Sequence, residues 1–196
     1  MFKVNEKWRR EFDVYDRIAK LGLDLGTKEE VMPSTAARIC KLTFTPSGLV
    51  FTSGVAAGAG AMTDDDAIVA KGNESARDAA IRHLKALHWA LEPLGDLNDV
   101  WYCVKAIGMV SSSGGGAFTR SPEVVDGYSK LFHDVFGGPA SEFATEGVDG
   151  SLSGWHARSA VGGYDLPGGS TVEPEMIFQI DPKLANRIIR KKGPHF

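Results

Sequence analysis

The sequence predicts an α+β domain of two layers, a β-sheet backed by two helices. The first observation is the order of the segments, because β-type runs and two amphipathic helical patterns alternate as β-β-α-β-α-β-β. The second is that 196 residues, 43% of them hydrophobic, suffice for one buried core without disulfides. The third is that the 23 glycines cluster mainly between apolar runs, where turns are expected.

The chain begins with a helical pattern. Apolar residues recur at helical spacing between Trp8 and Ala19, and Gly22 is placed to end this helix. Residues 28–38 are largely polar and predict a connector into the sheet. We therefore assign residues 1–35 to an N-terminal helical extension.

A hairpin opens the predicted sheet. Residues 41–45 and 49–55 are β-rich runs, and the Pro-Ser-Gly sequence at 46–48 is typical of the turn between two such strands. Residues 56–73 are small and polar, and their acidic run at 64–66 predicts a solvated loop.

The two main helices flank a buried strand. Residues 74–91 carry apolar side chains three or four apart, which predicts an amphipathic helix. Residues 100–110 are rich in β-branched and aromatic side chains and predict a strand. A second helix is predicted from Pro122 to Phe136, where two glycines and a proline end it.

The last third contains an irregular segment, two strands and a helix. Residues 139–156 are predicted to be an inserted loop, 158–162 and 171–180 strands, and Pro182 the first residue of a helix. The predicted core domain therefore covers residues 36–181, and residues 182–196 form a C-terminal helical tail.

Composition and motifs exclude several function classes. With 22 Lys and Arg against 25 Asp and Glu, the net charge of −3 provides no basic surface for nucleic acid. No apolar run is long enough for a membrane span, and the first residues lack the apolar stretch of a signal peptide, so we expect a cytoplasmic protein. Phosphate-loop and GxSxG motifs are absent, and the five histidines are too scattered to predict a metal site.

Candidate chemistry lies in residues 156–180. Arg158 could clamp a small carboxylate with its planar guanidinium, and Glu173 or Glu175 could hold and polarise a water molecule. A structural ion pair between neighbouring strands is the commoner explanation of the same residue types, and composition alone does not decide between the two alternatives.

Strand periodicity places the two glutamates together. With a period of two, Glu173 and Glu175 share one face of their strand, and the more apolar residues share the other. Because Pro174 lacks an N–H group, we expect it at a sheet edge or a bulge. That position would bring the carboxylates to a margin where subunits could meet.

Several segments resemble the Rid (reactive intermediate deaminase) family, also called YjgF or endoribonuclease L-PSP. The matching segments lie within residues 36–181, and the combination of A-R-S, L-P and V-E-x-E is specific. They are GLVFTSGV (48–55), LKALHWAL (84–91), LNDVWYCVKAIGM (97–109), YSKLF (128–132), ARSAVG (157–162), LPGG (166–169) and VEPEMI (172–177).

The resemblance implies a chorismate-mutase-like fold assembled as a homotrimer with clefts between subunits. It also implies hydrolytic deamination of enamines and imines that carry a carboxylate, without any cofactor or metal. By this resemblance, Arg158 binds the substrate carboxylate and Glu173 positions the attacking water. Ser53 and Gly54 match residues that line the same cleft, and a purely structural role at a strand end is the alternative for them.

The sequence departs from the family pattern around the expected cleft. Cys40, or its neighbour Ile39, stands where family members usually carry an aromatic residue, so one wall of the substrate site has changed. Trp155 precedes Arg158 closely and is a candidate to cover the cleft, with ordinary packing as the alternative. These changes predict a larger or aromatic substrate than the small aliphatic imines of the archetype.

Two classes of function are therefore predicted. The first is an enamine or imine deaminase, including an aminomuconate-type deaminase of aromatic breakdown. The second is a non-catalytic ligand-binding or regulatory trimer that keeps the same site. Ribonuclease activity is disfavoured by the acidic net charge. The deaminase hypothesis requires Arg158 and Glu173 to converge on one crevice at a protomer boundary.

Overall fold

One mixed sheet forms the centre of the molecule. The computed structural model describes residues 12–31, 40–112, 118–137, 154–163 and 165–196. Within them, the five strands are β1 (Leu42–Phe44), β2 (Leu49–Thr52), β3 (Val100–Ser111), β4 (Ala157–Gly163) and β5 (Val172–Ile180). They are arranged in the order β1-β2-β5-β3-β4, with only β3 and β4 parallel.

Helices cover one face of this sheet. In the same described residues, the helices are α1 (Val14–Lys20), α2 (Lys28–Val31), α3 (Asp66–Leu91), α4 (Ser121–Phe136) and α5 (Pro182–Lys192). The long helices α3 and α4 pack against each other and against the sheet. The predicted two-layer α+β class and its order of elements are thus confirmed. Trp8, Ile39 and most of the insertion at 139–156 lie outside the described residues.

Helix α3 begins eight residues earlier than the sequence pattern indicates. The expectation of a solvated loop up to residue 73 is wrong from Asp66 onward, because Asp65 caps the helix. Its carboxylate accepts hydrogen bonds from the backbone N–H groups of Ala67 and Ile68, at 2.9 and 3.1 Å. An acidic side chain at a helix N-terminus satisfies free N–H groups and complements the helix dipole.

Pro174 lies in an interior strand, so the prediction of an edge or bulge position is wrong. Strand β5 runs between β2 and β3, and Pro174 pairs with Gly108 of β3. On its other side, the Pro174 carbonyl accepts from the Val55 N–H at 3.1 Å, beyond the end of β2. The proline is tolerated because its missing donor would face this irregular segment rather than a regular strand.

The two faces of the sheet differ in burial. Residues of β5 alternate strictly, with Met176 and Phe178 buried under the helices and Glu173 and Glu175 partly exposed on the other face. No described element covers this second face, on which Phe51 is 39% exposed. A partly apolar sheet face of this kind is a surface on which another subunit can pack. None of the described helices is long and apolar enough to span a membrane.

Candidate functional site

The end of strand β2 forms a hydrogen-bonded corner. The Ser53 hydroxyl donates to the Cys40 carbonyl at 2.5 Å, which joins the chain before β1 to the chain after β2. The Ser53 carbonyl accepts from His83 Nε2 of α3 at 2.9 Å. Because that carbonyl can only accept, His83 carries its proton on Nε2, and Nδ1 accepts from the Tyr128 hydroxyl at 2.7 Å.

Burial holds His83 in its neutral form. The side chain is buried between α3, α4 and the corner at Ser53, and this burial lowers its pKa to about 4, while the bond to Ser53 acts in the opposite direction. A neutral imidazole with both nitrogens engaged positions the backbone at Ser53. It is not available for proton transfer in this arrangement.

A cavity of about 360 Å³ opens beside this corner. Three predicted site residues, Cys40, Ser53 and Gly54, line it together. Its volume falls in the range of small-molecule sites. The lining also contains cationic side chains, namely Lys41, Arg82 and Lys85.

Glu173 borders this cavity through Gly54. A β-carbon at Gly54 would lie 2.4 Å from Glu173 Oε1, so the carboxylate rests directly on the glycine backbone. Within a single chain, Glu173 therefore contacts one of the residues that line the cavity, although it is not a lining residue itself. Glu175 lies on the same sheet face, opposite Ile107 of β3, two positions further from Gly54 along β5.

Within one chain, Arg158 and Glu173 lie in different environments, so their predicted convergence at a protomer boundary stays a prediction. Arg158 is paired with Ala106 on β3, and Glu173 is paired with Met109 on the same strand. Positions 106 and 109 differ by an odd number, and the register between them is regular. The two side chains therefore leave opposite faces of the sheet.

On the helix-covered face, Arg158 is bound by α4. Its Nη1 donates to Asp126 Oδ1 at 2.6 Å and to Ser129 Oγ at 3.2 Å. The Ser129 hydroxyl also contacts His156 Nε2 at 2.9 Å, while His156 Nδ1 donates to the Gly154 carbonyl at 2.9 Å. Burial lowers the pKa of His156 to about 4, so this imidazole is neutral and accepts from Ser129.

Trp155 belongs to this second group and does not line the cavity. Its ring stacks on His133 of α4, with ring centroids 5.1 Å apart, and 37% of the residue is exposed. Within one chain, the contacts of Trp155 are therefore those of an ordinary packing residue. The predicted site residues thus form two clusters, one of Cys40, Ser53, Gly54 and Glu173 and one of Trp155 and Arg158.

Two solved structures superimpose well on this chain. A protein of unknown function from Agrobacterium tumefaciens aligns with a TM-score of 0.64 and 28% identity, over 86% of this chain and 92% of that chain. A Shewanella oneidensis protein proposed to be an endoribonuclease aligns with the same TM-score and 17% identity, over 86% of this chain and 100% of that chain. The chain has a Rid-family fold. The resemblance of its motifs to that family therefore extends to three dimensions.

Other Rid-family structures superimpose less closely. YyfA of Yersinia pestis, described as a conserved Rid-family protein of unknown function, aligns with a TM-score of 0.42 and 21% identity, over 80% of this chain and 97% of that chain. The sequence matches no protein-family model, and a search of curated proteins finds no significant match.

Several residues of these two clusters and of the cavity were not singled out in the sequence. Lys41 and Lys85 lie in separate segments, so neither is conspicuous alone, although Arg82, Lys85 and Ala86 are spaced to share one face of α3. Asp126 gives no signal in the sequence, because its partner Arg158 comes from a distant strand. Among the described residues, no group of three or more His, Cys, Asp or Glu side chains could hold a metal ion.

Proposed function

We propose that this protein hydrolyses imines or enamines that carry a carboxylate, with Glu173 positioning the attacking water. The observation that carries the proposal is the contact between the Glu173 carboxylate and Gly54, at the border of a cavity lined by Cys40 and Ser53. A partly exposed carboxylate beside a small cavity can hold a water molecule against a bound substrate. The motif resemblance assigns Glu173 the same role.

The reaction needs few protein groups. An enamine tautomerises to an imine, whose carbon is electrophilic once the nitrogen is protonated. Water adds to that carbon while Glu173 accepts a proton from the water. Glu173 then returns this proton to the amino nitrogen of the carbinolamine, which leaves as ammonia, and loss of the hydroxyl proton gives the 2-oxo acid. Orientation of the water and of the substrate supplies most of the required catalysis. No redox step is involved.

Arg158 enters this proposal as a residue of the neighbouring protomer. Its side chain points away from Glu173 in one chain, so a single site can contain both only where two chains meet. The uncovered sheet face that bears Glu173 also exposes apolar residues such as Phe51 and Val161, which favours such an assembly. In a homotrimer, Arg158 of one subunit would exchange Asp126 for the substrate carboxylate, and Trp155 would accompany it.

The role of Glu173 is tested by substitution with a matched control. An imine is generated by a pyridoxal-phosphate-dependent dehydratase, and release of the 2-oxo acid is followed. Glu173→Gln should lower kcat/KM by about 10²- to 10⁴-fold, the usual contribution of a positioned base. Glu175→Gln, on the same face of β5, should retain activity. Equal losses in both variants would contradict a specific role for Glu173.

A subunit-mixing experiment tests the location of Arg158. Glu173→Gln and Arg158→Ala subunits should each be inactive as homotrimers. When they are co-expressed, about a quarter of the sites combine an intact Glu173 with an intact neighbouring Arg158, so activity should return to that level. If subunit exchange is confirmed and the mixed assemblies are still inactive, the site is not shared between protomers.

A ligand-binding trimer is the second candidate, favoured by the pairing of Arg158 with Asp126 in the single chain. Such a protein would bind a small acid without converting it. Binding of a 2-oxo acid by the wild-type chain, with no acceleration of imine hydrolysis, would select this function over the first.

A further inference from the structure

The cavity beside Ser53 has an unusual charge distribution. Lys41, Arg82 and Lys85 line it, and none of the described residues that line it is acidic. Three cations around about 360 Å³ produce a positive potential, which a compact anion would neutralise.

Two of the three cations lie close to Val31 of α2. Lys41 Nζ donates to the Val31 carbonyl. A β-carbon at Gly26 would lie 3.8 Å from Lys85 Nζ and 3.5 Å from the Val31 side chain, so Lys85 also reaches this wall. Arg82 is held on another wall, where its Nη1 donates to the Ala56 carbonyl at 3.0 Å. Two ammonium groups next to one residue repel each other unless an anion lies between or beside them.

One described carboxylate offsets part of this charge, because hydrogen bonds from Thr27 and, to a smaller extent, the positive charge of Lys85 lower the pKa of Glu30. Among the residues that the structure describes, no Asp or Glu forms an ion pair with any of the three. The acid near Lys85 is Glu30, whose exposed carboxylate accepts from the Thr27 N–H at 2.9 Å. Burial lowers the pKa of Lys41, so this ammonium is partly removed from water.

Glu173 and the two lysines contact different lining residues of the cavity. Glu173 rests on Gly54, whereas Lys41 and Lys85 lie toward α2. A ligand with a single anionic group next to its reacting carbon would place that group toward Glu173, where Arg158 of the neighbouring protomer would bind it, and would leave the two lysines without an anion. A ligand with a second anionic group at its far end could direct that group to the lysines.

We propose that the cavity binds the distal carboxylate of a dicarboxylic ligand, so that the preferred substrate is the imine of a 2-oxo dicarboxylic acid. The identity of the substrate rests on the proposed deaminase function, whereas the binding of a dicarboxylic ligand to the cavity does not. Lys41 and Lys85 bind the distal carboxylate, and Arg82 contributes positive charge from the wall at Ala56. The reacting carbon then lies toward Glu173.

The test compares binding of inert probes to the full chain by calorimetry at low ionic strength. Glutarate should bind at least about ten-fold more tightly than butyrate, because it alone can place a carboxylate at each end. Lys85→Gln should remove most of this preference. Lys71→Gln removes the same charge from an exposed position of the same helix and should leave the preference intact. Lys41→Gln provides a second variant at the cavity.

Each outcome bears on the proposal. Equal binding of glutarate and butyrate, or the same preference in Lys85→Gln as in wild type, would overturn it. Tighter binding of inorganic phosphate than of glutarate would overturn the dicarboxylate assignment in favour of a phosphorylated ligand. Efficient hydrolysis of monocarboxylic imines without a glutarate preference would refute this inference alone. A glutarate preference without turnover of any imine would refute the deaminase function and leave the binding site.

Discussion

At Gly54, the absence of a side chain makes room for the Glu173 carboxylate. The backbone there does not have a positive φ, so glycine is required by the space that Glu173 occupies and not by backbone conformation. The position of this carboxylate therefore depends on the lack of a side chain at Gly54. Substitutions at Gly54 should therefore affect catalytic turnover more than they affect the stability of the fold.

We expect Gly54→Ala to lower imine turnover by about 10²-fold, because a displacement of about 1 Å at a catalytic group has that effect. The new methyl group would lie 2.4 Å from Glu173 Oε1 and must push it away. Gly163→Ala is the control, since a β-carbon there has no heavy atom within 4 Å. Unchanged turnover in Gly54→Ala, with the fold intact, would show that the observed carboxylate position is not the catalytic one.

The residue scale also shows what could be predicted of the site. The segment containing Ser53 and Gly54 and the face occupied by Glu173 follow from local motifs and from the period of two in a strand. The partner of Arg158 does not, because Asp126 meets it only after α4 has packed on the edge strand β4. An exposed pair of this kind contributes little stability, so it leaves no strong sequence pattern.

Among the elements, helices α3 and α4 approach closely at Gly127. A β-carbon at this position would lie 2.0 Å from the Asn73 carbonyl oxygen of α3. Because the obstruction is backbone, it cannot be relieved by a change of side-chain rotamer. The spacing between the two helices that cover the sheet is therefore set by glycine.

Gly127→Ala should lower the free energy of unfolding by about 3 kcal/mol, the upper range for overpacking. Urea denaturation measures it, with the exposed Lys130→Ala on the same helix as a control that should change little. Helix propensity alone predicts the opposite sign, a gain of about 0.5 to 1 kcal/mol. Stabilisation by Gly127→Ala would therefore contradict the close helix contact.

The first residue of a helix can be predicted from the sequence where only one candidate capping residue precedes it. Pro182 after Asp181 marks the start of α5, and the Asp181 side chain accepts from the Lys183 N–H at 2.8 Å. At α3, three consecutive aspartates concealed which one is the cap, and the apolar periodicity of its first turns is weak. The sequence pattern therefore predicts a helix start that is eight residues too late.

For the molecule as a whole, buried neutral histidines couple stability to pH. His83 and His156 both have a pKa of about 4 in the folded state, against an ordinary value of 6.5. The unfolded chain therefore binds protons at a higher pH than the folded chain does. The contribution of the two neutral histidines to the free energy of unfolding is fully present above pH 6.5. It decreases as the pH falls from 6.5 toward 4.

Between pH 7 and pH 5, we expect the titration of His83 alone to lower the free energy of unfolding by about 2 kcal/mol. Urea denaturation at the two pH values measures this change. In His83→Gln, whose amide can replace both hydrogen bonds without titrating, the dependence on pH should become shallower by that amount. An identical pH dependence in wild type and variant would show that His83 is not the group responsible.

The sequence by itself determined the class of fold, the order of its elements and the segments that carry the candidate chemistry, because periodicity, turns and motifs are local properties of the chain. Only the tertiary structure decided that Arg158 and Glu173 leave opposite faces of the sheet, and that Lys41 and Lys85 line one cavity. Alternation within a strand assigns faces only relative to that strand. How two strands align on a third depends on register, which is set by packing across the whole sheet.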